Sequence, residues 1–208
     1  MEYKKYKRIC ILDTETTGVC WNIDAPLQIA AVIINERGEV IDKFNELIKV
    51  SRPIPADVSE INHIYKEDLV NCRKEWEVLP DFITWIVGNQ CDAFLTYNGN
   101  IFDLPLLNHR CKLYRDLQNI NIFDREKGLP QLDCKMDVTK AKQQNLFNLK
   151  SLGRGWKLTK VSELLGINTE GAHDAYVDVT LLKKVFFILD PIVNPNNWVN
   201  TKTTSSLF

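Results

Sequence analysis

The sequence lacks most of the features that would set it apart from an ordinary globular protein. It has no excess of either charge, with 26 basic and 27 acidic residues among 208. It contains no internal repeat, no low-complexity block and no apolar run long enough to cross a membrane. We therefore expect no repeat array and no membrane contact. Because the net charge is close to zero, any nucleic-acid site must be built locally.

Cysteine pairs with metal-binding or redox spacing are also missing. The six cysteines are scattered without Cys-x-x-Cys spacing, and several lie inside apolar runs. This distribution is typical of buried thiols and argues against both a disulfide framework and a zinc site. With no secretory leader in the sequence, we expect a reducing, intracellular and cytoplasmic setting.

The hydrophobic pattern predicts an α/β fold with a mixed sheet. Three strands and then alternating helices and strands are expected, with one domain over residues 1–190 and a flexible tail over 191–208. The segment "IFDREKGLPQLDC" fits either a short strand or a loop. Strands are predicted at 8–14, 27–35, 39–49 and within "CDAFLTYN", and helices near 56 and over 74–88, 101–117, 137–144, 157–167 and 173–189.

Carboxylates stand where this fold would place a site. In "LDTETTG", Asp13 and Glu15 lie two residues apart behind a buried strand, so they project to the same face, and no basic partner is near in the sequence. Asp103 begins the helix after the fourth strand, and Asp178 lies among apolar residues of the last helix. Four such acids suit a hard divalent cation such as Mg²⁺ or Mn²⁺ better than zinc.

Each of these residues also has a structural explanation when it is taken alone. A single Asp-x-Glu pair is more often a surface feature than a site, and Asp103 fits an acid that stabilises a helix N-terminus. His173, at the start of the last helix, fits a helix cap. The hypothesis of a site therefore depends on the four acids taken together.

The three segments "LDTETTG", "YNGNIFD" and "HDAYVD", in this order, resemble the three exonuclease motifs of the DnaQ-like, or DEDDh, 3′–5′ exonucleases. The resemblance extends over about residues 9–189. It implies a ribonuclease H-like fold, with a central five-stranded sheet whose second strand is antiparallel. The tyrosine form of the third motif would have tyrosine at position 174, where this chain has Asp174, so the histidine form is favoured.

The resemblance also implies an activity and a set of site residues. The activity is 3′–5′ exonucleolytic hydrolysis of single-stranded or frayed DNA ends with two Mg²⁺ or Mn²⁺ ions, releasing nucleoside 5′-monophosphates. His173 would be the general base. The implied metal ligands are Asp13, Glu15, Asp103 and Asp178, and the expected substrate contacts are Thr16, Thr17, Asn98, Phe102 and His63. Phe102 fits a core position or a surface on which a base stacks.

Two departures from the family pattern leave the preference for base and sugar open. Asn62-His63 stands where many members have His-Gly, and Tyr97-Asn98 stands where many bacterial members have His-Asn. The alternatives are an RNA-trimming 3′–5′ exoribonuclease of the same family and a catalytically silent nucleic-acid-binding module. A phosphatase of the haloacid dehalogenase type is disfavoured, because its motif requires aspartate where this chain has Glu15.

The last residues, "TTSSLF", loosely resemble the end of a sliding-clamp-binding peptide. The glutamine that such peptides usually carry is absent, and a frayed terminus is the simpler interpretation. A functional tail of this kind would imply a sliding clamp or a polymerase as partner.

Overall fold

A mixed six-stranded sheet forms the centre of the computed structural model, which describes residues 6–153 and 156–197. The strands are Arg8–Thr16 (β1), Pro26–Asn35 (β2), Val40–Lys49 (β3), Arg73–Lys74 (β4), Ala93–Thr96 (β5) and Gln131–Asp133 (β6). Their order across the sheet is β4-β3-β2-β1-β5-β6. β2 is antiparallel to both of its neighbours, whereas β1, β5 and β6 are parallel.

Helices cover both faces of the sheet. They are Ala56–Asn62 (α1), Glu75–Gly88 (α2), Asp103–Lys112 (α3), Cys134–Gln143 (α4), Leu158–Leu164 (α5) and Ala175–Val193 (α6). The core on one face includes residues of α4, α5 and α6, and the core on the other includes residues of α2 and α3. The carboxyl ends of β1 and β5 lie between these two layers, where α/β folds place their sites.

Strand β1 is buried on both faces, which explains its continuous apolar run. Ile9 and Ile11 belong to the core beneath α6, whereas Cys10 and Leu12 belong to the core beneath α2 and α3. This alternation follows from the two-residue period of a strand. The strand continues to Thr16, two residues beyond the predicted end, so both motif acids lie in regular β structure.

The predicted fold class is confirmed, including the antiparallel second strand. The sheet has one strand more than the predicted five, because Lys74, the first residue of the predicted helix, and Arg73 before it pair with the edge of β3. Helix α3 is shorter than predicted and ends at Lys112. There the Lys112 ammonium donates to the carbonyl oxygens of Gln118 and Ile120, which stabilises a turn in place of further helix.

The last helix is longer than the sequence predicts. α6 continues through Pro191 to Val193, and a 3₁₀ helix, Pro195–Asn197, follows it. The first residues of the predicted tail are therefore helical. The "TTSSLF" segment lies outside the described residues.

The structure also describes the state of the cysteines and the character of the helices. All six cysteines are free thiols, of which Cys10, Cys111 and Cys134 are buried. Within residues 6–153 and 156–197, no helix has both the length and the apolar character needed to cross a bilayer.

Candidate active site

Three carboxylates from two elements meet at the end of β1. Asp13 and Glu15 project from the same face of the strand, and Asp178 reaches them from the first turn of α6. One oxygen of each carboxylate lies within 4.8 Å of those of the other two. We call Asp13, Glu15 and Asp178 the acidic cluster. Packing of α6 against β1 brings them together across more than 160 residues of sequence.

In the part of the chain that the structure describes, no lysine or arginine forms an ion pair with the carboxylates of the acidic cluster. Oδ1 of Asp178 is buried without a hydrogen-bond partner. Charged carboxylates in such surroundings are costly unless a cation lies between them.

The pKa values of these acids record that cost. Burial, and next the charge of Asp103, raise the pKa of Asp13 well above its ordinary value. Burial, and next the charge of Asp178, raise the pKa of Glu15 to about 8. Burial also raises the pKa of Asp178, and the neighbouring His173 partly offsets this. Oxygen-only ligands that repel one another when charged fit a hard divalent cation.

Asp103 lies beside the acidic cluster but has a bond of its own. Its Oδ1 accepts a hydrogen bond of 2.5 Å from the Thr14 hydroxyl, and the side chain is 7% exposed. Burial raises its pKa to about 6 despite that bond. It lines the same cavity as Asp13, although it is not among the three residues whose oxygens lie within 4.8 Å of one another.

His173 lies next to the acidic cluster on a left-handed turn. Its φ angle is 74°, and the chain enters α6 two residues later. Asp174 caps that helix by accepting hydrogen bonds from the backbone N–H groups of Tyr176 and Val177. His173 therefore lies outside the helix predicted to begin at it, and Asp174 is the cap instead.

One buried amide on β2 fixes this turn to the sheet. Gln28 is 3% exposed and pairs with Glu15 across the β1–β2 ladder. Its Nε2 donates to Asp174 Oδ2 at 3.2 Å and to Asn45 Oδ1 at 3.0 Å. Its Oε1 accepts from the backbone N–H of Ala175 at 3.1 Å. Gln28 thus fixes the turn that carries His173 against the strand that carries Glu15.

The turn after β5, which belongs to the "YNGNIFD" segment, is fixed in a similar way by a residue of β6. Asn98 has a φ of 66°, and its backbone N–H donates to Asp133 Oδ1 at 2.7 Å. The ammonium of Lys135 donates to Asn98 Oδ1 at 3.0 Å. The sequence analysis did not identify Asp133, Lys135 or Gln28 as residues that support the site. The only local indications were that Asp133 ends a short strand and that Gln28 is a polar residue inside an apolar run.

Two cavities reach the acidic cluster, and a third borders His173 beside it. The apolar cavity, of about 470 Å³, is lined by Asp13, Asp103, Thr16, Val19, Ile101, Phe102 and their neighbours. The lysine cavity, of about 320 Å³, is lined by His173, Asp178, Lys135, Trp156, Lys157 and others, and it shares Tyr97 and Asn98 with the apolar cavity. The polar cavity, of about 980 Å³, is lined by residues that include Gln28, Asn45, His63, His173 and Asp174.

The structure places the predicted substrate contacts in different surroundings. Thr16, Asn98 and Phe102 line the apolar cavity, and Phe102 is half-buried rather than part of the cores. Thr17 does not line it, because its hydroxyl donates to Asp24 at 2.9 Å and accepts from the N–H of Ala25. Thr17 therefore holds the loop that follows β1.

His63 lies beside the polar cavity and not beside the apolar cavity. It is exposed, lines the polar cavity and ends α1 with a φ of 58°. Its neighbour Asn62 is 5% exposed and hydrogen-bonds to Glu15, which lowers the pKa of that carboxyl against the larger effect of burial. Asn62 is thus the member of the pair that contacts the acidic cluster.

Comparisons with known proteins match this chain to one family over most of its length. The sequence profile of the exonuclease family, of the RNase T type, matches residues 10–186. The chain is 32% identical over 175 residues to the DNA polymerase III subunit epsilon of Treponema pallidum, covering 84% of this chain and 72% of that protein. It is 33% identical over 176 residues to the PolC-type DNA polymerase III of Thermotoga maritima, covering 85% of this chain but 11% of that protein.

Solved structures show the same fold. Escherichia coli exonuclease I in complex with single-stranded DNA aligns with a TM-score of 0.72 and 18% identity, over 92% of this chain and 42% of that one. The same enzyme in complex with a dT13 oligonucleotide gives the same TM-score and coverage. Because the sequence identity is only 18%, this similarity shows the fold alone. The chain spans less than half the length of exonuclease I.

Proposed function

This chain belongs to the exonuclease family, among the DnaQ-like 3′–5′ exonucleases, and we propose that it degrades DNA from the 3′ end to nucleoside 5′-monophosphates. The observation that carries the proposal is the acidic cluster, in which three carboxylates meet and form no ion pair with a lysine or arginine among the described residues. The preference for DNA draws support from the matched relatives, which are DNA polymerase III proteins.

The residues present fit a divalent-cation site. Asp13, Glu15 and Asp178 offer oxygens within 4.8 Å of one another, and Asp178 Oδ1 has no other partner. We assign Mg²⁺ or Mn²⁺ to these three ligands, with Asp103 next to Asp13 as a further ligand. Two such cations, when bound, stabilise negative charge on the attacking and leaving oxygens of a phosphoryl displacement.

His173 accepts the proton of the attacking water in this proposal. Its side chain borders both the lysine cavity, where Asp178 also lies, and the much larger polar cavity. A proton taken up beside the scissile phosphate therefore has a path to solvent on the other side of the ring. The turn outside α6 leaves the imidazole free to adjust when substrate binds, while Asp174 and Gln28 limit how far it moves.

The terminal nucleoside occupies the apolar cavity. Its walls combine the exposed hydrophobic residues Val19 and Ile101 and the half-buried Phe102 with the polar groups of Thr16 and Asn98. A base stacks on such apolar walls without regard to sequence, and the polar groups meet the sugar and phosphate. Phe102 thus takes the stacking role.

A polymerase is the partner that the relatives suggest, because the epsilon subunit is named as part of DNA polymerase III. The carboxyl-terminal segment that resembles a clamp-binding peptide lies outside the described residues. A pull-down with a DNA polymerase and with a sliding clamp, each with and without Leu207 and Phe208, separates the two partners.

The test of the proposed function uses 5′-labelled single-stranded DNA, duplex DNA and RNA of one sequence, with Mg²⁺, Mn²⁺ or a chelator. We expect a ladder that shortens from the 3′ end of DNA, release of 5′-monophosphates and no cleavage with the chelator. Asp13→Asn should be inactive. Asp137→Asn, a change of a buried acid outside the site, should remain active.

Two results would contradict the proposal: internal cleavage, or full activity of Asp13→Asn. Faster trimming of RNA than of DNA would instead favour the exoribonuclease. An intact metal response without hydrolysis of any substrate would favour the catalytically silent nucleic-acid-binding module.

A further inference from the structure

The two cavities beside the acidic cluster differ in charge. No lysine or arginine is among the residues that line the apolar cavity, whose acids are Asp13 and Asp103. The lysine cavity is lined by two lysines, Lys135 and Lys157, and its only acid is Asp178. Tyr97 and Asn98 separate the two cavities and line both. A ligand that reaches across the site therefore meets cations on one side only.

The lysine cavity belongs to a basic part of an otherwise balanced chain. Residues 135–153 and 156–160 contain six lysines and one acid, Asp137, whereas the whole chain has 26 basic and 27 acidic residues. Three of these lysines have structural partners: Lys140 bonds to Asn194, Lys142 lies over the Trp156 ring, and Lys160 pairs with Glu163.

The two lysines of the cavity are available to a ligand. Lys157 is exposed, and among the described residues its ammonium makes no hydrogen bond or ion pair. Lys135 donates to Asn98 Oδ1 at 3.0 Å, which holds its ammonium at the boundary between the two cavities. An ammonium has three donors, so this bond leaves Lys135 able to donate to a second partner.

A nucleic-acid strand has the same asymmetry about the bond that a 3′–5′ exonuclease cleaves. The nucleoside on the 3′ side of the scissile phosphate ends in a hydroxyl and carries no further phosphate. Each nucleotide on the 5′ side adds one negative charge. Cations are therefore useful on the 5′ side only.

We propose that the lysine cavity binds the strand on the 5′ side of the scissile bond, with the first phosphate beyond that bond contacting Lys157 and Lys135. This inference rests on the proposed exonuclease function and states the direction in which the strand crosses that site. The terminal nucleoside occupies the cation-free apolar cavity, and the rest of the strand leaves past Trp156 and Lys157. Lys135 and Lys157 bind substrate and take no part in the chemical step.

The sharpest test compares substrates that differ by one phosphate. The dinucleotide d(TpT) has only the scissile phosphate, whereas d(pTpT) adds the phosphate assigned to the lysines. The p-nitrophenyl ester of thymidine 5′-monophosphate has no nucleotide on the 5′ side at all. For the wild-type protein with Mn²⁺, we expect KM for d(pTpT) to be about fivefold lower than KM for d(TpT).

Variants of Lys157 connect this difference to the cavity. Lys157→Ala should remove most of the advantage of d(pTpT) and leave hydrolysis of the nitrophenyl ester unchanged, and Lys157→Arg should restore the advantage. Lys184→Ala, a change of an exposed lysine in α6, is the matched control and should behave as wild type. With a longer oligonucleotide, the slope of log KM against log salt should fall by about 0.7 for Lys157→Ala.

The outcomes separate this inference from the proposed function. If no substrate is hydrolysed, the proposed function fails. If the ester is hydrolysed but the 5′ phosphate gives the wild type no advantage, or Lys157→Ala keeps that advantage, the strand polarity is wrong. If Lys157→Ala slows the ester as much as the dinucleotide, the lysine acts at the chemical step, which also overturns the inference.

Discussion

The acidic cluster and a second pair of buried carboxylates, Asp137 and Asp190, lie at opposite ends of α6. Each of the pair is 1% exposed. Asn194 donates to Oδ1 of both, at 2.9 Å for Asp137 and 2.5 Å for Asp190, and the ammonium of Lys140 donates to Asn194. A protein donor therefore lies between these two acids.

The acidic cluster is arranged differently. Among residues 6–153 and 156–197, no side-chain donor bridges its three carboxylates, and two of them, Asp13 and Asp178, line cavities that a ligand can enter. Both regions contain acids whose pKa is raised by burial, to about 7 at Asp137 and about 8 at Glu15. A raised pKa therefore does not identify the site. The open gap between the three carboxylates does distinguish the acidic cluster, and our proposal places a cation from outside the chain there.

The largest expected effect comes from removing one charge from the acidic cluster. Asp13→Asn should lower kcat by about a thousandfold or more, since it removes a ligand that acts on the charge of the transition state. Its melting temperature without metal should stay the same or rise, because one of several repelling charges is gone. If Asp13→Asn melts normally and keeps its activity, the acidic cluster has no functional role that Asp137 and Asp190 lack.

The second effect is a fall in the stability of the metal-free protein as pH rises. A carboxyl with a raised folded-state pKa keeps its proton where the unfolded chain has lost it, so its favourable contribution is lost as pH rises from about 4 through the folded pKa. For Asp137 that window ends near pH 7, and for Glu15 near pH 8. We expect a loss on the order of 2–4 kcal/mol.

Chemical denaturation at several pH values measures this loss and separates the two regions. Asp137→Asn should flatten the fall below about pH 7. Saturating Mn²⁺ should reduce the fall in stability near pH 8, which comes from the acidic cluster. Stability that rises with pH over this range in the metal-free protein would contradict both assignments.

Replacing the histidine beside the cluster tests chemistry without removing a metal ligand. His173→Gln should lower kcat by about a hundredfold, since a positioned general base contributes on that order. Metal binding should persist, because Asp13, Glu15 and Asp178 are intact. Single-turnover kinetics with saturating substrate isolate this step. A loss confined to KM would show that His173 binds substrate instead.

A smaller effect is expected from the buried amide that positions the histidine turn. Gln28→Leu should lower kcat about tenfold through a displaced His173. It should cost about 1–3 kcal/mol of stability, because Asn45, Asp174 and the Ala175 N–H lose a partner. The Mn²⁺-induced change in melting temperature should be retained. An unchanged kcat in a destabilised variant would limit Gln28 to a structural role.

The sequence predicted those parts of the fold that depend on local pattern. The apolar run of β2 and the alternation in β3 predicted these strands within one residue of their observed bounds, and the long apolar face of α6 predicted that helix but not its end at Val193. The two-residue strand β4 was missed because its only determinant is pairing with β3. The end of α3 was missed because bonds from Lys112 to later carbonyl oxygens set it.

The candidate site was predictable to a similar degree. The motifs identified Asp13, Glu15 and Asp178, which the fold brings together, and Asp103 beside them. The residues that hold the site in place, Gln28 among them, were not identified. Gln28 contacts Asp174 across 146 residues, and no local spacing records such a contact. Lys135 and Lys157 form one cavity only because α4 and the start of α5 meet beside α6.

The most direct test of the central claim is thermal unfolding of the protein at increasing Mn²⁺. We predict that the melting temperature of the wild type rises with the metal, with a stabilisation of about 2.7 kcal/mol at a hundred times Kd. Asp137→Asn should respond in the same way, and the double variant Asp13→Asn, Asp178→Asn should not respond. A wild type that ignores Mn²⁺, or a double variant that responds as the wild type does, would contradict the claim that the acidic cluster holds the metal.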